Sequence, residues 1–390
     1  MYNFDEIINR NNTDCIKYDF KKVYNMPEDV LPLWVADMDF KVPDEVIEAM
    51  KKRCEHGIFG YTESRESYFE AVKNWIYTNH SWEVKRQYLV KTPGVVFALS
   101  TAVKAFTDIG DSVLIQRPVY YPFSRVIEEN GRVIVNNSLV LNNGKYEIDF
   151  NDFEEKIKKN KVKLFLLCSP HNPVGRVWKK EELIKMADIC VENGVIIVSD
   201  EIHSDFVWGE NKHTTMGVLG KKYADNIVVC TAPSKTFNLA GLQASNIFIP
   251  NRELRHKFKE ERNRTECIQL NIMALTACEA AYRYGSQWYG EVKKYIHSNI
   301  EFTDKFLKEN ISDVKLIYPE GTYLLWLDFR DLNTDDEKLN DIMINKAKLW
   351  LDGGSIFGDE GKGFQRINVA CPRSVLKEAL ERMAKAVNEI

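Results

Sequence analysis

The stretch Thr231-Ala-Pro-Ser-Lys235-Thr-Phe-Asn-Leu-Ala-Gly241 follows an apolar run, Asn226-Ile-Val-Val-Cys-Thr231, and sets one lysine between a buried strand and a small-residue turn. A lysine just past the end of such a strand has a poorly solvated ammonium, and desolvation lowers its pKa. In that state an amine condenses with an aldehyde as a Schiff base. Taken alone, the string equally describes a lysine that reaches past the strand into solvent. Two upstream segments change the balance. Lys163-Leu-Phe-Leu-Leu-Cys-Ser-Pro-His-Asn172-Pro-Val-Gly175 is an apolar strand running into a turn that presents Asn172 at its carboxyl end. Val195-Ile-Ile-Val-Ser-Asp200-Glu-Ile-His203 is another, and it ends in an acid. A carboxylate at the tip of a buried strand is unfavourable without a cation or donor, although a lone Asp also reads as a helix cap or salt bridge. Here three successive strands end in Asn172, Asp200 and Lys235, with helical stretches between them (Lys179 to Glu192 after the first). Ligands of open α/β sheets sit outside the carboxyl ends of the strands, so all three residues are expected around one cleft.

An amine to hold an aldehyde, an acid to keep a pyridine nitrogen protonated and an amide to hydrogen-bond a phenolate together describe a pyridoxal 5'-phosphate site. In these residues the chain resembles the fold-type I pyridoxal phosphate enzymes of aminotransferase class I/II. Within them it is similar to the MalY/PatB group of cystathionine β-lyases (C-S lyases). The resemblance runs through Leu33-Trp-Val-Ala-Asp-Met-Asp-Phe40, Phe59-Gly-Tyr61, Ser169 to Gly175, Ser199-Asp-Glu-Ile-His203, Pro233 to Asn238 and Arg366-Ile-Asn-Val-Ala-Cys-Pro-Arg373. It implies an α/β fold of the aspartate aminotransferase type. A large cofactor-binding domain with a mostly parallel seven-stranded sheet would span about 46–285, and a small α/β domain would join 1–45 to 286–390.

Length and composition agree. At 390 residues the chain exceeds what one hydrophobic core usually supports. A hydrophobic fraction of 44% and a net charge of −4 give no reason to expect nucleic acid or an anionic membrane as partner. The opening Met1-Tyr-Asn-Phe-Asp-Glu carries acids where a signal peptide needs basic and then apolar residues, and no apolar run approaches membrane-spanning length. Eight cysteines without C-x-x-C spacing suggest reduced thiols and a cytoplasmic location. Short buried strands are expected at Asp111 to Gln116, Lys163 to Cys168, Val195 to Ser199, Ile227 to Thr231 and Ser245 to Ile249. Strand and helix patterns alternate, which argues for a largely parallel sheet covered on both faces. A long helix is expected near Val292 to Lys308, then strands at Thr322 to Asp328 and Phe364 to Ala370 and a closing helix from about Ser374.

Phosphate binding is expected at a helix start. Lys91-Thr-Pro-Gly94-Val95-Val96 puts Pro and Gly before an amphipathic run, where free N–H groups and the helix dipole suit a dianion. A plain helix N-terminus has the same look; position in the family pattern implies backbone contacts from Gly94, Val95 and Val96. Thr231 and Ser234 flank the lysine and offer hydroxyls. Many relatives carry an arginine eight residues past the lysine, and Gln243 stands there, so this phosphate set is incomplete. The resemblance implies that Tyr120 stacks on the pyridine ring, with the adjacent Tyr121 as the alternative, and that Tyr61 reaches the phosphate of a neighbouring subunit. The active site would then be shared across a homodimer. His203, three residues past Asp200, falls near the phenolate oxygen, where typical aminotransferases carry tyrosine. Arg366 matches the arginine that forks the substrate α-carboxylate, a geometry lysine cannot copy. Asn172 would share that carboxylate, with Ala36 and Asp37 lining the entrance. No metal-ligand spacing is visible.

The reaction expected from the resemblance is β-elimination from a small amino-acid thioether. L-Cystathionine or a related cysteine S-conjugate would yield pyruvate, ammonia and a thiol, with Lys235 as the catalytic base. A class I/II aminotransferase would use the same residues. A third class, a non-enzymatic cofactor-sensing regulator or protein-binding module, would carry a DNA-binding segment ahead of the enzyme-like region, and Trp34-Val-Ala-Asp37 leaves no room for one.

Overall fold

The protein is described from a computed structural model that covers residues 2–389. A seven-stranded sheet is built from β1 (Leu89–Thr92), β2 (Ser112–Ile115), β3 (Val133–Asn136), β4 (Leu164–Cys168), β5 (Ile196–Asp200), β6 (Ile227–Thr231) and β7 (Ser245–Phe248). Its spatial order is β1-β7-β6-β5-β4-β2-β3. The pairs among β6, β5, β4, β2 and β3 are parallel, and β7 runs antiparallel to both β6 and β1. The sheet expected from sequence is therefore present.

The apolar runs work because both faces of the sheet are covered. Side chains alternate across a strand, so Phe165 and Leu167 of β4 join one apolar cluster while Leu164 and Leu166 join the other. The second cluster is closed by Ala98, Leu99, Ala102 and Val103 of the helix Val95–Phe106. The first is closed by Leu183, Met186, Ala187 and Cys190 of the helix Lys180–Glu192.

The first cluster continues into the second half of the chain through the helix Ser286–Asn310, whose buried stripe runs Trp288, Val292, Ile296, Ile300, Leu307. That helix starts six residues earlier than its polar-apolar pattern suggests, because Trp288 is also buried. Its N-cap, Gly285, meets Phe237 so closely that a Cβ there would lie 2.4 Å from the ring. A second, antiparallel sheet follows: β8 (Lys315–Ile317), β9 (Leu324–Asp328), β10 (Asp352–Gly353) and β11 (Phe364–Asn368), ordered β8-β9-β11-β10. The early segment runs beside it. Leu31–Pro32 pairs in parallel with Leu349–Trp350, Asn368 donates its N–H to Leu33 O at 2.9 Å, and Asp39 donates to Ala370 O at 2.9 Å. Residues 33–39 are thereby carried to the carboxyl ends of the large sheet.

Candidate active site

Strands β4, β5 and β6 are neighbours, and their carboxyl ends deliver Asn172, Asp200 and Lys235 together. Lys235 sits in a one-turn helix, Pro233–Thr236, rather than in an irregular turn. Its Nζ donates to Ala36 O at 2.7 Å, and Tyr323 Oη donates to the same oxygen at 3.1 Å. Burial is the largest influence on this ammonium and brings its pKa to about 8; Arg366 pushes the same way, while Asp37 and Asp200 oppose. The anchoring loop is itself pinned. Asn238 accepts from Met38 N at 3.0 Å and donates to Met38 O and Phe40 O at 2.8 and 3.1 Å. Asn368 Nδ2 donates to Val35 O and Asp37 O at 2.6 and 2.5 Å.

Asp200 ends β5 with 5% of its surface exposed. It accepts a backbone bond from Ile202 at 3.1 Å and forms no ion pair among the described residues. Burial therefore dominates and raises its pKa to about 7, with Lys235 and the Ile202 bond pulling the other way. The next residue is its opposite. Glu201 accepts from Ser199 Oγ at 3.0 Å and Met216 N at 2.9 Å and pairs with His213 at 3.0 Å. Burial raises the Glu201 pKa most, yet His213, the Met216 amide and Thr215 together leave it below the ordinary value. His203 faces the cleft with Nδ1 buried and unpartnered, its ring 6.0 Å from that of Tyr323. Burial first, then the charges of Lys235 and Arg366, hold it neutral.

Arg366 lies on β11 directly across from Asp352 of β10, and the two side chains form a buried ion pair. Arg366 also donates to Trp34 O at 2.8 Å and to Asn172 Oδ1 at 3.1 Å, over the Phe357 ring at 5.0 Å. Its Nε is buried with no partner. Asn172 thus meets the arginine expected to share a substrate carboxylate with it.

At the start of the helix Val95–Phe106, Gly94 adopts φ +136°, strained for any other residue, and no side chain caps the helix. The Gly94 N–H is taken by Ser245 Oγ at 3.2 Å, which leaves Val95 and Val96 to offer the open amides. The Thr231 hydroxyl is committed to Asn246 O at 2.9 Å, whereas Ser234 is buried beside Lys235. Tyr120 is half-buried, with its N–H on Asn172 O at 3.0 Å and its ring 5.2 Å from that of Tyr121. Asp37 pairs with Arg10 at 2.6 Å and lies 3.6 Å from Lys17. Gln243 is exposed at φ +56°. Tyr61 is fully exposed, within a loop that also exposes Ile58 and Phe59.

Sequence reasoning missed Tyr323, Asp352, Asn238 and the Arg10–Lys17 pair. The cross-strand register of Asp352 with Arg366 carries no local sign, and neither do ties that span 22 to 287 residues. Among the described residues no cluster of three or more His, Cys, Asp or Glu could hold a metal, and no helix is long and apolar enough to cross a membrane.

This arrangement suits an anionic, cationic-ringed aldehyde. Asp200 is a buried carboxylate without an ion pair among the described residues, the Val95 helix start has no side-chain cap, and Lys235 is a poorly solvated amine. The fold is that of the family described as aminotransferase class I and II, whose sequence pattern covers residues 28–383, and the chain belongs to it. Within that family it groups with PatB and MalY. It is 44% identical to cystathionine β-lyase PatB of Bacillus subtilis (strain 168) across 99% of this chain and 100% of that one. It is 32% identical to protein MalY of Escherichia coli (strain K12) over the full length of both. The crystal structure of cystalysin from Treponema denticola, which contains pyridoxal 5'-phosphate, superposes with a TM-score of 0.96 at 41% identity, covering 100% of this chain and 99% of that one.

Proposed function

We propose that this protein is a pyridoxal 5'-phosphate-dependent carbon–sulfur β-lyase that cleaves L-cystathionine or related cysteine S-conjugates to pyruvate, ammonia and a thiol. The observation that carries this is the meeting of Lys235, Asp200, Asn172 and Arg366 at adjacent strand ends in a chain 44% identical to a cystathionine β-lyase. In this reading Lys235 binds the cofactor aldehyde. Asp200 would pair with its ring nitrogen, Tyr120 would cover its ring, and Asn172 and His203 would meet its phenolate side. Val95, Val96 and Ser234 serve its phosphate, with Gly94 turning the chain into that helix and Thr231 beside them. The bound cofactor supplies an electron sink for the pair freed when a bond to the substrate α-carbon breaks.

The chain's own residues do the rest. Arg366 forks the α-carboxylate and Asn172 turns it, so the α-hydrogen is directed toward Lys235. With a pKa near 8, Lys235 Nζ takes that proton at neutral to mildly basic pH. Ala36 O and Tyr323 hold the amine within reach while it waits. When sulfur stands at Cβ, the electrons of the Cβ–S bond leave with the thiolate, the three-carbon remainder takes up water to give pyruvate and ammonia, and no keto acid is required to reset the site.

We further infer a homodimer in which Tyr61 completes the partner's site, supported by its full exposure in an apolar loop. A division at about 46 and 286 into large and small domains fits the two sheets, and a cytoplasmic setting fits eight unpaired cysteines. The deciding experiment supplies L-cystathionine without any keto acid. We expect sustained release of homocysteine, pyruvate and ammonia over many turnovers. Conversion that stops after one equivalent, restarts on adding a keto acid and frees no thiol would instead make the protein an aminotransferase.

A further inference from the structure

The loop that leaves Asp200 also walls a second cavity, of about 780 Å³, between it and the helix Ser286–Asn310. Its volume falls within the ~300–1,000 Å³ of small-molecule pockets. Four lysines line it, Lys180, Lys212, Lys293 and Lys294, and none forms an ion pair among the described residues. On the same helix, Lys305 and Lys308 do pair, with Glu309 at 3.8 Å and Asp304 at 2.7 Å. Lys293 is half-buried, and its only polar contact is Tyr289 Oη at 3.3 Å. Unpaired ammonium groups at a cavity wall favour an anion there.

The single acid in the wall has its oxygens turned to the protein. Asp205 is buried and accepts from Trp75 Nε1 at 3.1 Å, Thr236 Oγ1 at 2.5 Å and His80 at 2.9 Å. It moderates the lysine field without filling the cavity. Beside it, His80 and His213 each use Nε2 on a buried carboxylate, Asp205 or Glu201, and each keeps Nδ1 buried without a partner. Trp208, stacked on His297 at 5.5 Å, adds an apolar floor. Asp205 also binds the hydroxyl of Thr236, the residue after Lys235, so the cavity wall and the lysine helix share one hydrogen bond.

We propose that this cavity binds a small polyanion bearing phosphate or several carboxylates, and that occupancy is transmitted to Lys235 through Asp205 and Thr236. By reciprocity, whatever the ligand does to substrate binding, substrate does to the ligand. Binding at the cavity is independent of which thioether the enzyme cleaves, and the KM readout of transmission rests on the function proposed above.

The test uses cofactor-loaded enzyme at low salt, titrated calorimetrically with pyrophosphate and, separately, with citrate. We expect one equivalent per chain for at least one probe, weakened tenfold or more in a Lys293→Gln/Lys294→Gln variant and unchanged in Lys305→Gln. Binding by pyrophosphate alone assigns a phosphate ligand, and binding by citrate alone assigns a polycarboxylate. No saturable binding of either, or equal binding by the double variant, overturns the site. Transmission is read from the absorption band of the lysine-bound cofactor and the KM for L-cystathionine. Both should shift with the probe in wild type and not in the double variant. Saturable binding with neither shift overturns the transmission.

Discussion

Two carboxylates stand side by side at the end of β5, and they behave in opposite ways. Glu201 is surrounded by Ser199, Met216 and His213, and its pKa falls below the ordinary value although it is buried. Asp200 has one backbone donor, no ion pair among the described residues, and a pKa raised to about 7. Burial penalises both; the difference lies in what the protein itself supplies. A completed carboxylate is part of the architecture. An uncompleted one in the same stretch of strand marks where the fold holds a place for something it does not make. The same contrast separates Asp205, saturated by Trp75, His80 and Thr236, from the open cleft beside it.

The largest effect should come from the residue at the centre of the incomplete side. Lys235→Ala is expected to lower turnover by about 10³-fold or more, since it removes both the aldehyde-binding amine and the base. The variant should stay folded and lose the borohydride-reducible cofactor adduct; an adduct retained on another lysine would reassign the site.

Asp200→Asn comes next, with an expected loss of ~10²–10⁴-fold in kcat. Its stability should move the other way. A carboxyl raised from 3.8 to about 7 contributes stability that is present below its unfolded pKa and lost as pH climbs toward 7. Cofactor-free Asp200→Asn should therefore unfold at a higher temperature than the wild type at pH 8, and the gap should close by pH 4. A destabilised variant at pH 8 would show that Asp200 has a partner in the free protein after all.

Glu201→Gln reverses the pattern. Its depressed pKa contributes stability above about 4.5 that is lost as pH falls through the folded value. Removing that buried, hydrogen-bonded carboxylate should cost about 1–3 kcal/mol of unfolding free energy at pH 7, by denaturant melts. With the cofactor bound, kcat should stay within a few-fold of wild type. A collapse of kcat without a change in stability would erase the distinction between the two acids.

The smallest signal concerns the exposed loop. Mixing Lys235→Ala with Tyr61→Ala subunits should restore at most about a quarter of wild-type activity, because random exchange makes half the dimers hybrid, each with one intact site. Verified exchange without recovery would place Tyr61 in its own subunit's site, and a fully active Tyr61→Ala protein would remove it from the chemistry.

Much of this was legible in the chain, and for one reason: a buried strand ending in a polar residue is visible locally. The runs before Asn172, Asp200 and Lys235 gave strand, order and cleft at once, and period-two alternation accounts for both covered faces. The partner of Arg366 was not legible, because Asp352 reaches it through sheet register. Arg10 and Lys17 gave no sign of holding Asp37 and Asp39, since each reads as an ordinary surface cation. Thr231 was readable as a hydroxyl near the lysine, but not as one already bound to Asn246. Asp200 and Glu201 are a fair measure of the boundary: sequence presents two adjacent acids, and only tertiary contacts say which is left waiting.

The resting hydrogen bond of Lys235 goes to the carbonyl of Ala36, while Asn368 grips the carbonyls on either side of it, of Val35 and Asp37. A ribosome delivers residue 36 long before residue 368. The carbonyl on which the lysine rests and the arginine expected to hold a carboxylate are therefore fixed by the same late strand, so the chemically competent arrangement is set only when nearly the whole chain has been made.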